Sequence, residues 1–227
     1  MRQLTRLFSL FIIAHLVGCA TPTILTKSEA YPKMYQQDTN SILVVPAINR
    51  STAADAPELY STTIAQPLAE AGYYVMPIPM IEMMLAVEGV VDGEQLKGVE
   101  PAKFKTMFGA DAVLFVTINQ WDTNYYVTGG NVTVGADFEL ISTSTNESLW
   151  NYKNVVVLNT SGNSGNLLAD IISTAISTAI TDYVPIARQV NYSVVTTLPV
   201  GKYHSRHSLD GQDKVVNETL ASKNTVN

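Results

Sequence analysis

The side chains best suited to acid–base chemistry in this sequence are five carboxylates between positions 82 and 100. They are Glu82, Glu88, Asp92, Glu94 and Glu100. Two such groups can hydrolyse a glycosidic bond, one acting as the acid and the other as base or nucleophile. Their spacing selects no particular pair, so the sequence predicts either a carboxylate-dependent hydrolase or a solvated acidic rim.

Other catalytic residue types are scarce. The three histidines are His15, His204 and His207, so residues 20–199 contain none for a nucleophile–histidine pair. His204 and His207 have a spacing that suits a metal, but two ligands do not close a site. The turn at 162–165 resembles an anion-binding loop but lacks the lysine of a phosphate loop, so it predicts a loop and helix cap. We therefore predict no catalytic residue, no cofactor and no metal.

The first 18 residues have the layout of a signal peptide. Two arginines precede an apolar run over residues 7–17, which is shorter than the roughly 20 residues that span a bilayer. The run ends in Leu16, Val17, Gly18 and Cys19, a tetrad that resembles the lipobox of bacterial lipoproteins. That resemblance implies that the first three residues guide the signal peptidase and that Cys19 carries the lipid.

The cysteine count agrees with such an anchor. Cys19 is the only cysteine, so it forms no intramolecular disulfide, and lipidation removes a thiol that an oxidising compartment would attack. The next residue is Ala20 rather than aspartate. By resemblance to the sorting rule of enterobacterial lipoproteins, this implies the periplasmic face of the outer membrane, with exposure on the outside of the cell as the alternative.

Composition divides the chain into four parts. Residues 1–18 are the signal peptide, 19–40 a lipidated tether that can order near its tyrosines, 41–199 a single α/β periplasmic domain, and 200–227 a polar, disordered tail. The tail is assigned from its lack of apolar periodicity.

Within the domain, short apolar runs alternate with helical patterns. Runs over 41–46, 73–76 and 112–118 predict buried strands. Helices are predicted from an Asp55–Glu58 capping box to Ala71, over 79–88, and from Pro101 to Gly109. Strands that alternate with helices favour a parallel layer with right-handed crossovers.

After residue 118 the pattern becomes one of alternation. Runs over 119–128, 132–141 and 149–158 predict an antiparallel meander. The pattern over 167–184 predicts a helix packed on the sheet, with a helix that makes oligomer contacts as the alternative, and a second helical stretch runs to Thr197. The predicted fold class is thus α/β: a mixed sheet with N-terminal strand–helix–strand–helix units, a meander and a C-terminal helix. Aromatic residues of the meander, Trp121, Tyr125 and Tyr126, form a candidate partner surface.

Several landmarks in this order resemble one known family. They are Gly109-Ala110-Asp111, Trp121, Phe138-Glu139-Leu140 and Glu147-Ser148-Leu149-Trp150. The pattern resembles a family of Gram-negative outer-membrane lipoproteins whose members are encoded beside a lipoprotein similar to the curli-secretion channel. The resemblance implies a domain similar to the periplasmic domain of that channel and to the N-terminal domain of TolB.

The charge balance argues against nucleic acid as a partner. Lysine and arginine total 14 against 20 aspartate and glutamate, a net charge of −6, whereas phosphate-backbone binding is driven by basic side chains. The sequence therefore predicts a lipid-anchored, non-enzymatic subunit of an outer-membrane assembly or curli-like secretion complex. Its expected partners are the membrane, other envelope lipoproteins and further copies of itself. The alternatives are a cell-envelope hydrolase and a pore-forming subunit that uses the strands at 119–128 and 132–141.

Overall fold

The computed structural model describes residues 24–126, 129–159 and 184–216. The strands are β1 (Ile24–Thr26), β2 (Ser41–Val44), β3 (Ile48–Asn49), β4 (Tyr74–Val75), β5 (Ala112–Tyr126), β6 (Gly129–Ser142), β7 (Ser148–Asn159) and β8 (Lys214–Val216). The helices are α1 (Lys27–Ala30), α2 (Pro32–Gln36), α3 (Ala56–Glu70), α4 (Ile78–Val87), α5 (Pro101–Phe108) and α6 (Val184–Val195), with a 3-10 turn at Gly93–Leu96.

The main sheet joins a parallel half to an antiparallel half. Its strand order is β4-β2-β5-β6-β7, with β3 also paired to β5. Strand β2 runs parallel to β4 and β5, and Ile42 lies opposite Ala112. Strands β5, β6 and β7 pair antiparallel along most of their length. The predicted mixed sheet with a parallel layer and a meander is therefore confirmed.

Both faces of β2 are buried, which is why its residues form an unbroken apolar run. Ile42 and Val44 belong to a core beneath α3 and α6, whereas Leu43 and Val45 belong to a second core beneath α4 and α5. None of these four side chains is more than 2% exposed. The sheet thus separates two helical layers, α3 with α6 on one face and α4 with α5 on the other. The outward side of each layer forms a different surface of the protein.

Helix α3 starts close to the predicted residue but without the predicted capping box. Asp55 lies at the N-cap in a helical conformation, and its side chain makes no capping hydrogen bond. A capping side chain needs the extended backbone that this residue lacks, so the capping-box prediction is wrong. Pro67 lies within the helix, which continues to Glu70, and Gly72 follows in the left-handed region with φ of 91°.

The two chain ends differ most from the sequence prediction. The predicted tether is ordered from Ile24 onward as β1, α1 and α2, and the predicted disordered tail is ordered up to Val216. Strand β1 pairs antiparallel with β8, with Leu25 opposite Val215. Tyr31 in the first segment is buried in the core, as expected of a tether that orders near its tyrosines. Neither segment shows periodicity because each is too short to form alone and is ordered by the other.

The last described helix confirms the predicted stretch towards Thr197. Helix α6 buries Ala187, Val190 and Val194 in the core beneath the sheet, and the Asn191 side chain donates to Thr63 Oγ1 of α3 at 2.8 Å. The predicted helix at 167–184 lies outside the described residues except for its last position, as does the predicted turn at 162–165.

Candidate functional site

Helix α4 presents an apolar stripe to solvent. Met80, Met83, Met84 and Val87 recur at the i, i+3, i+4 and i+7 spacing that places residues on one side of a helix. Their exposure ranges from 44% for Met84 to 81% for Val87. The opposite side is already used, since Ile78, Ile81 and Leu85 are buried. We call Met80, Met83, Met84 and Val87 the α4 face.

The sequence analysis did not predict the α4 face, although the composition of the helix indicates an apolar surface. The predicted helix over 79–88 is apolar on nearly every side, and such a helix is expected to be buried all round. In the structure only one side of α4 is buried, because the helix packs on the sheet with that side and no described element covers the other. Neighbouring Val91 is also 74% exposed. Exposed apolar surfaces of this kind mark sites where a protein binds another protein, a membrane or a ligand.

A pocket lies beside α4 at the carboxyl ends of the parallel strands. It has a volume of about 320 Å³ and is lined by residues after β2, at the start of α3, and along and after α4. Its charged lining residues are Glu58, Glu82 and Asp92. Ligands of α/β sheets bind at this edge, where the connections turn to opposite faces. The structure thus brings Glu82 and Asp92 of the predicted acidic group into one pocket.

The remaining predicted carboxylates are not part of this pocket lining, and two members of the group have structural contacts. Asp92 Oδ1 accepts from the backbone N–H of Glu94 at 2.7 Å and caps the 3-10 turn. Glu94 forms ion pairs with Lys97 and, at 4.0 Å, with Arg50. Glu88 and Glu100 are exposed. Across the described ranges, no group of three or more histidine, cysteine or acidic residues is placed to hold a metal ion.

The predicted aromatic partner surface is only partly described. Trp121 is 6% exposed and packs in the core, so it does not offer the exposed ring that a partner surface needs. The prediction is therefore wrong for Trp121, because its side chain belongs to the core beneath α3 and α6. Tyr125 and Tyr126 lie at the far end of β5, and their side chains are outside the described set.

His204 and His207 lie in the ordered segment after α6 and make local contacts. The N–H of Arg206 donates to His204 Nδ1 at 3.1 Å, and His207 Nδ1 lies 3.3 Å from the carbonyl oxygen of Val200. Their predicted location in a disordered tail is therefore wrong. Their surroundings are those of a turn-rich segment rather than of a metal centre.

The Gly109-Ala110-Asp111 motif has an architectural role. Gly109 ends α5 in the left-handed region with φ of 74°, a conformation that glycine adopts without strain. Asp111 Oδ2 then accepts from the N–H groups of Asn40 and Ser41, at 3.2 and 3.0 Å, and from Ser41 Oγ at 3.0 Å. Burial opposes ionisation of Asp111, but these hydrogen bonds and Lys105 outweigh it and lower the pKa of the carboxyl. The motif joins the start of β2 to the start of β5.

Trp150 of the Glu147-Ser148-Leu149-Trp150 motif joins the meander to the residues that follow α6. Trp150 stacks on Tyr152 with ring centroids 6.3 Å apart, and its Nε1 donates to Thr197 Oγ1 at 3.2 Å. Its ring also contacts that of Phe138 in the neighbouring strand at 6.1 Å. These residues therefore serve packing, and their types and spacing reflect the architecture of the sheet.

The sequence matches one known protein family over most of its length. Residues 30–203 match the profile of a family described as "Putative lipoprotein GNA1162-like". The chain belongs to this family. The predicted membership of a lipoprotein family is therefore confirmed, while the outer-membrane location and the likenesses to TolB and to the curli-secretion channel stay predictions.

Similar proteins from Neisseria meningitidis were also found. The chain is 29% identical over 147 residues to the "Putative lipoprotein NMB1124/NMB1162" of Neisseria meningitidis serogroup B, covering 65% of this chain and 68% of that protein. The crystal structure of lipoprotein GNA1162 from the same species is 33% identical, covers 62% of this chain and 97% of its own, and has a TM-score of 0.49.

Two more distant solved structures were also found. The PelC dodecamer from Paraburkholderia phytofirmans is 16% identical, covers 80% of this chain and 95% of its own, and has a TM-score of 0.41. The LpoB C-terminal domain from Salmonella enterica is 18% identical, covers 58% and 95%, and has a TM-score of 0.36. Within the described part of this GNA1162-like chain, each helix is too short or too polar to cross a membrane.

Proposed function

We propose that this protein is a non-enzymatic subunit of a cell-envelope assembly, held on a membrane by a lipid on Cys19 and bound to protein partners through the α4 face. The α4 face carries this proposal. Met80, Met83, Met84 and Val87 are exposed on a helix whose opposite side is already buried. Leaving four apolar side chains in water is unfavourable, and a protein partner would remove them from it.

The residue types of the face suit a protein rather than a small molecule. Methionine is flexible and polarisable, so it adapts to an irregular partner surface, and it is enriched at interfaces. The adjoining pocket adds Glu58 and Asp92 as a polar rim. A hydrophobic centre with a polar border is the usual arrangement of a protein interface.

The anchor and the location are proposed from the sequence. Leu16, Val17 and Gly18 would direct the signal peptidase, Cys19 would carry the lipid, and Ala20 would send the protein to the periplasmic face of the outer membrane. The finer proposal is a role in an outer-membrane assembly or secretion complex of the curli type. Other envelope lipoproteins and further copies of this chain are the partners that this proposal names.

A pull-down from outer membranes in mild detergent tests the proposal. The native protein is compared with Cys19→Ser, with the double variant Met83→Glu/Val87→Glu, and with Ala102→Glu. Ala102 is exposed on α5, so a glutamate at this position controls for adding negative charge to an exposed helix outside the α4 face. We expect the native protein and the control to recover the same stoichiometric partners.

We expect the Cys19→Ser protein to be absent from the membrane fraction and to recover no partners. We expect the double variant to remain in the membrane fraction but to recover at least tenfold less of its partners. A tenfold loss corresponds to about 1.4 kcal/mol. A native protein that purifies alone, or a double variant that retains its partners, would contradict the assembly role.

The hydrolase alternative is tested separately. Glu82→Gln, Glu88→Gln and Glu94→Gln are combined in one variant. The assembly role predicts that this variant keeps the phenotype of the native protein in a deletion strain. Loss of the phenotype with the partner set intact would instead favour hydrolysis by these carboxylates.

A further inference from the structure

The first and last described segments meet at one edge of the main sheet. The backbone N–H of Gly201 donates to the carbonyl oxygen of Ala71 at 2.8 Å, and that of Tyr203 donates to Gly72 at 3.0 Å. Gly72 lies just before β4, so residues 201–203 lie at the amino-terminal edge of the parallel strands. The pocket with Glu58 and Glu82 lies at the carboxyl edge, on the opposite end of these strands.

The segment that leads from the proposed anchor is fixed at this edge. Backbone bonds join Lys27 N to Asp213 O at 2.8 Å and Ser28 N to Gly211 O at 3.0 Å. The Lys27 ammonium is buried, donates to Leu198 O at 2.7 Å, and lies 3.4 Å from Asp210 Oδ2. Strand β1 is therefore part of the folded domain, and the residues that precede it separate the domain from the proposed anchor.

The number of residues between the proposed anchor and β1 is small compared with the size of the domain. Cys19 precedes Ile24 by five positions. An extended chain spans at most about 3.6 Å per residue, so the anchor lies within about 18 Å of β1. A domain of this size has a radius of gyration of about 16 Å and a diameter of roughly 40 Å. The amino edge therefore stays next to the membrane, and the carboxyl edge points away from it.

The side chains exposed near the two ends suit a phospholipid surface. Tyr203 is 70% exposed and Leu209 is 72% exposed, and both lie in the segment that packs on α1 and Gly72. Across the described residues, four lysine and arginine side chains make no ion pair, and Lys202 and Lys214 of this segment are two of them. Tyrosine favours the membrane–water interface, and lysine is attracted to anionic lipids.

We propose that Tyr203, Leu209, Lys202 and Lys214 form a second, non-covalent contact with the phospholipid surface that carries the anchor. This inference rests on the lipidation of Cys19 that the proposed function contains. The contact fixes the orientation of the domain, so that the pocket and Val91 at the opposite edge of the sheet are directed away from the membrane and towards protein partners.

Single-cysteine labelling of the lipidated protein tests this contact. In the mature protein the Cys19 sulfur is a thioether, so an introduced cysteine is the one free thiol. Tyr203→Cys, Leu209→Cys and the control Val91→Cys are labelled with a fluorophore sensitive to polarity. The three positions have closely matched exposure, at 70%, 72% and 74%. Each labelled protein is reconstituted on vesicles of phosphatidylethanolamine and phosphatidylglycerol.

We expect the labels at 203 and 209 to brighten at least twofold on vesicles and to be quenched by spin-labelled lipid, while the label at 91 does neither. Equal responses at all three positions would overturn the proposed contact. Vesicle binding by the Cys19→Ser protein distinguishes failure of the proposed contact from failure of the lipid anchor. If Cys19→Ser protein still binds vesicles as tightly as the native protein, the anchor of the proposed function is wrong.

Discussion

The Lys27 ammonium lies 3.4 Å from Asp210 Oδ2, and the two side chains are only 7% and 0% exposed. Asp210 Oδ2 also accepts from the N–H of Val200 at 2.9 Å, and Oδ1 accepts from the Tyr35 hydroxyl at 3.1 Å. Burial lowers the pKa of Lys27 by more than Asp210 raises it. This buried pair closes the fold by joining its first segment to its last.

Removing one partner of this pair should destabilise the protein strongly. Asp210→Ala leaves the Lys27 charge buried without its counter-ion, and we expect a loss of about 3–5 kcal/mol in the free energy of unfolding. Asp213→Ala is the control, because Asp213 pairs with Arg206 at the surface and such pairs contribute about 0–1 kcal/mol. Urea unfolding measures both. Equal losses for the two variants would show that the buried pair has no special weight.

Asp111 should make part of the stability depend on acid. Hydrogen bonds from Ser41 and Asn40 outweigh burial and lower the pKa of its carboxyl in the folded state. The folded state therefore binds fewer protons than the unfolded state below the ordinary value of 3.8. The stabilisation is complete above that value and is lost as the pH falls through the lowered folded pKa.

The variant Asp111→Asn isolates this contribution. It should be less stable than the native protein at pH 7, and the difference between the two should narrow at acidic pH. Unfolding midpoints in urea at several pH values measure the effect. A difference that stays constant down to strongly acidic pH would exclude Asp111 as the source.

Gly201 should not tolerate a side chain. A Cβ atom there would lie 2.4 Å from the carbonyl oxygen of Gly72 and 2.8 Å from Tyr73 Cδ1. The first clash is with backbone, so Gly201→Ala should cost about 1–3 kcal/mol, the usual range for overpacking. At Gly211 the nearest atom, Ser28 Cβ, would be 3.4 Å away. Thermal unfolding of Gly201→Ala and Gly211→Ala should show a clear loss for the first alone.

Two buried tyrosines should respond differently to loss of the hydroxyl. Tyr73 donates to Pro199 O at 2.6 Å, whereas the Tyr60 hydroxyl has no hydrogen-bond partner among the described residues. Burial raises the pKa of both. Tyr73→Phe should cost about 1 kcal/mol, and Tyr60→Phe should be neutral or stabilising. A larger loss for Tyr60→Phe in urea unfolding would reveal a hydroxyl partner beyond the described set.

The elements with strong local patterns could be predicted from the sequence. The run from Ser41 to Pro46 gave a buried strand because both of its faces are covered, and Gly109 ended a helix because only glycine adopts its backbone without strain. The Asp55 capping box failed because the side chain of a capping residue acts only when its own backbone is extended, which spacing does not reveal.

The candidate site was less accessible to sequence reasoning. The carboxylates of 82–100 drew attention by their chemistry, yet the exposed feature of the same region is the apolar α4 face. Trp121 shows the converse, because an aromatic residue on an alternating strand is core or surface according to which layer covers it. In both cases the periodicity identified the faces of an element, but it did not say which faces a neighbour covers.

The sequence by itself determined the family, the mixed α/β class and the order of most elements, since these depend on composition, periodicity and local motifs. It also contains the tetrad at 16–19 that resembles a lipobox, on which the proposed anchor rests. Only the tertiary structure decided that residues 200–216 are ordered, that Lys27 and Asp210 meet, and that the α4 face is left in solvent. These features depend on contacts between segments that are distant in the sequence. Such segments meet only in the folded chain, so local sequence patterns do not reveal the contacts.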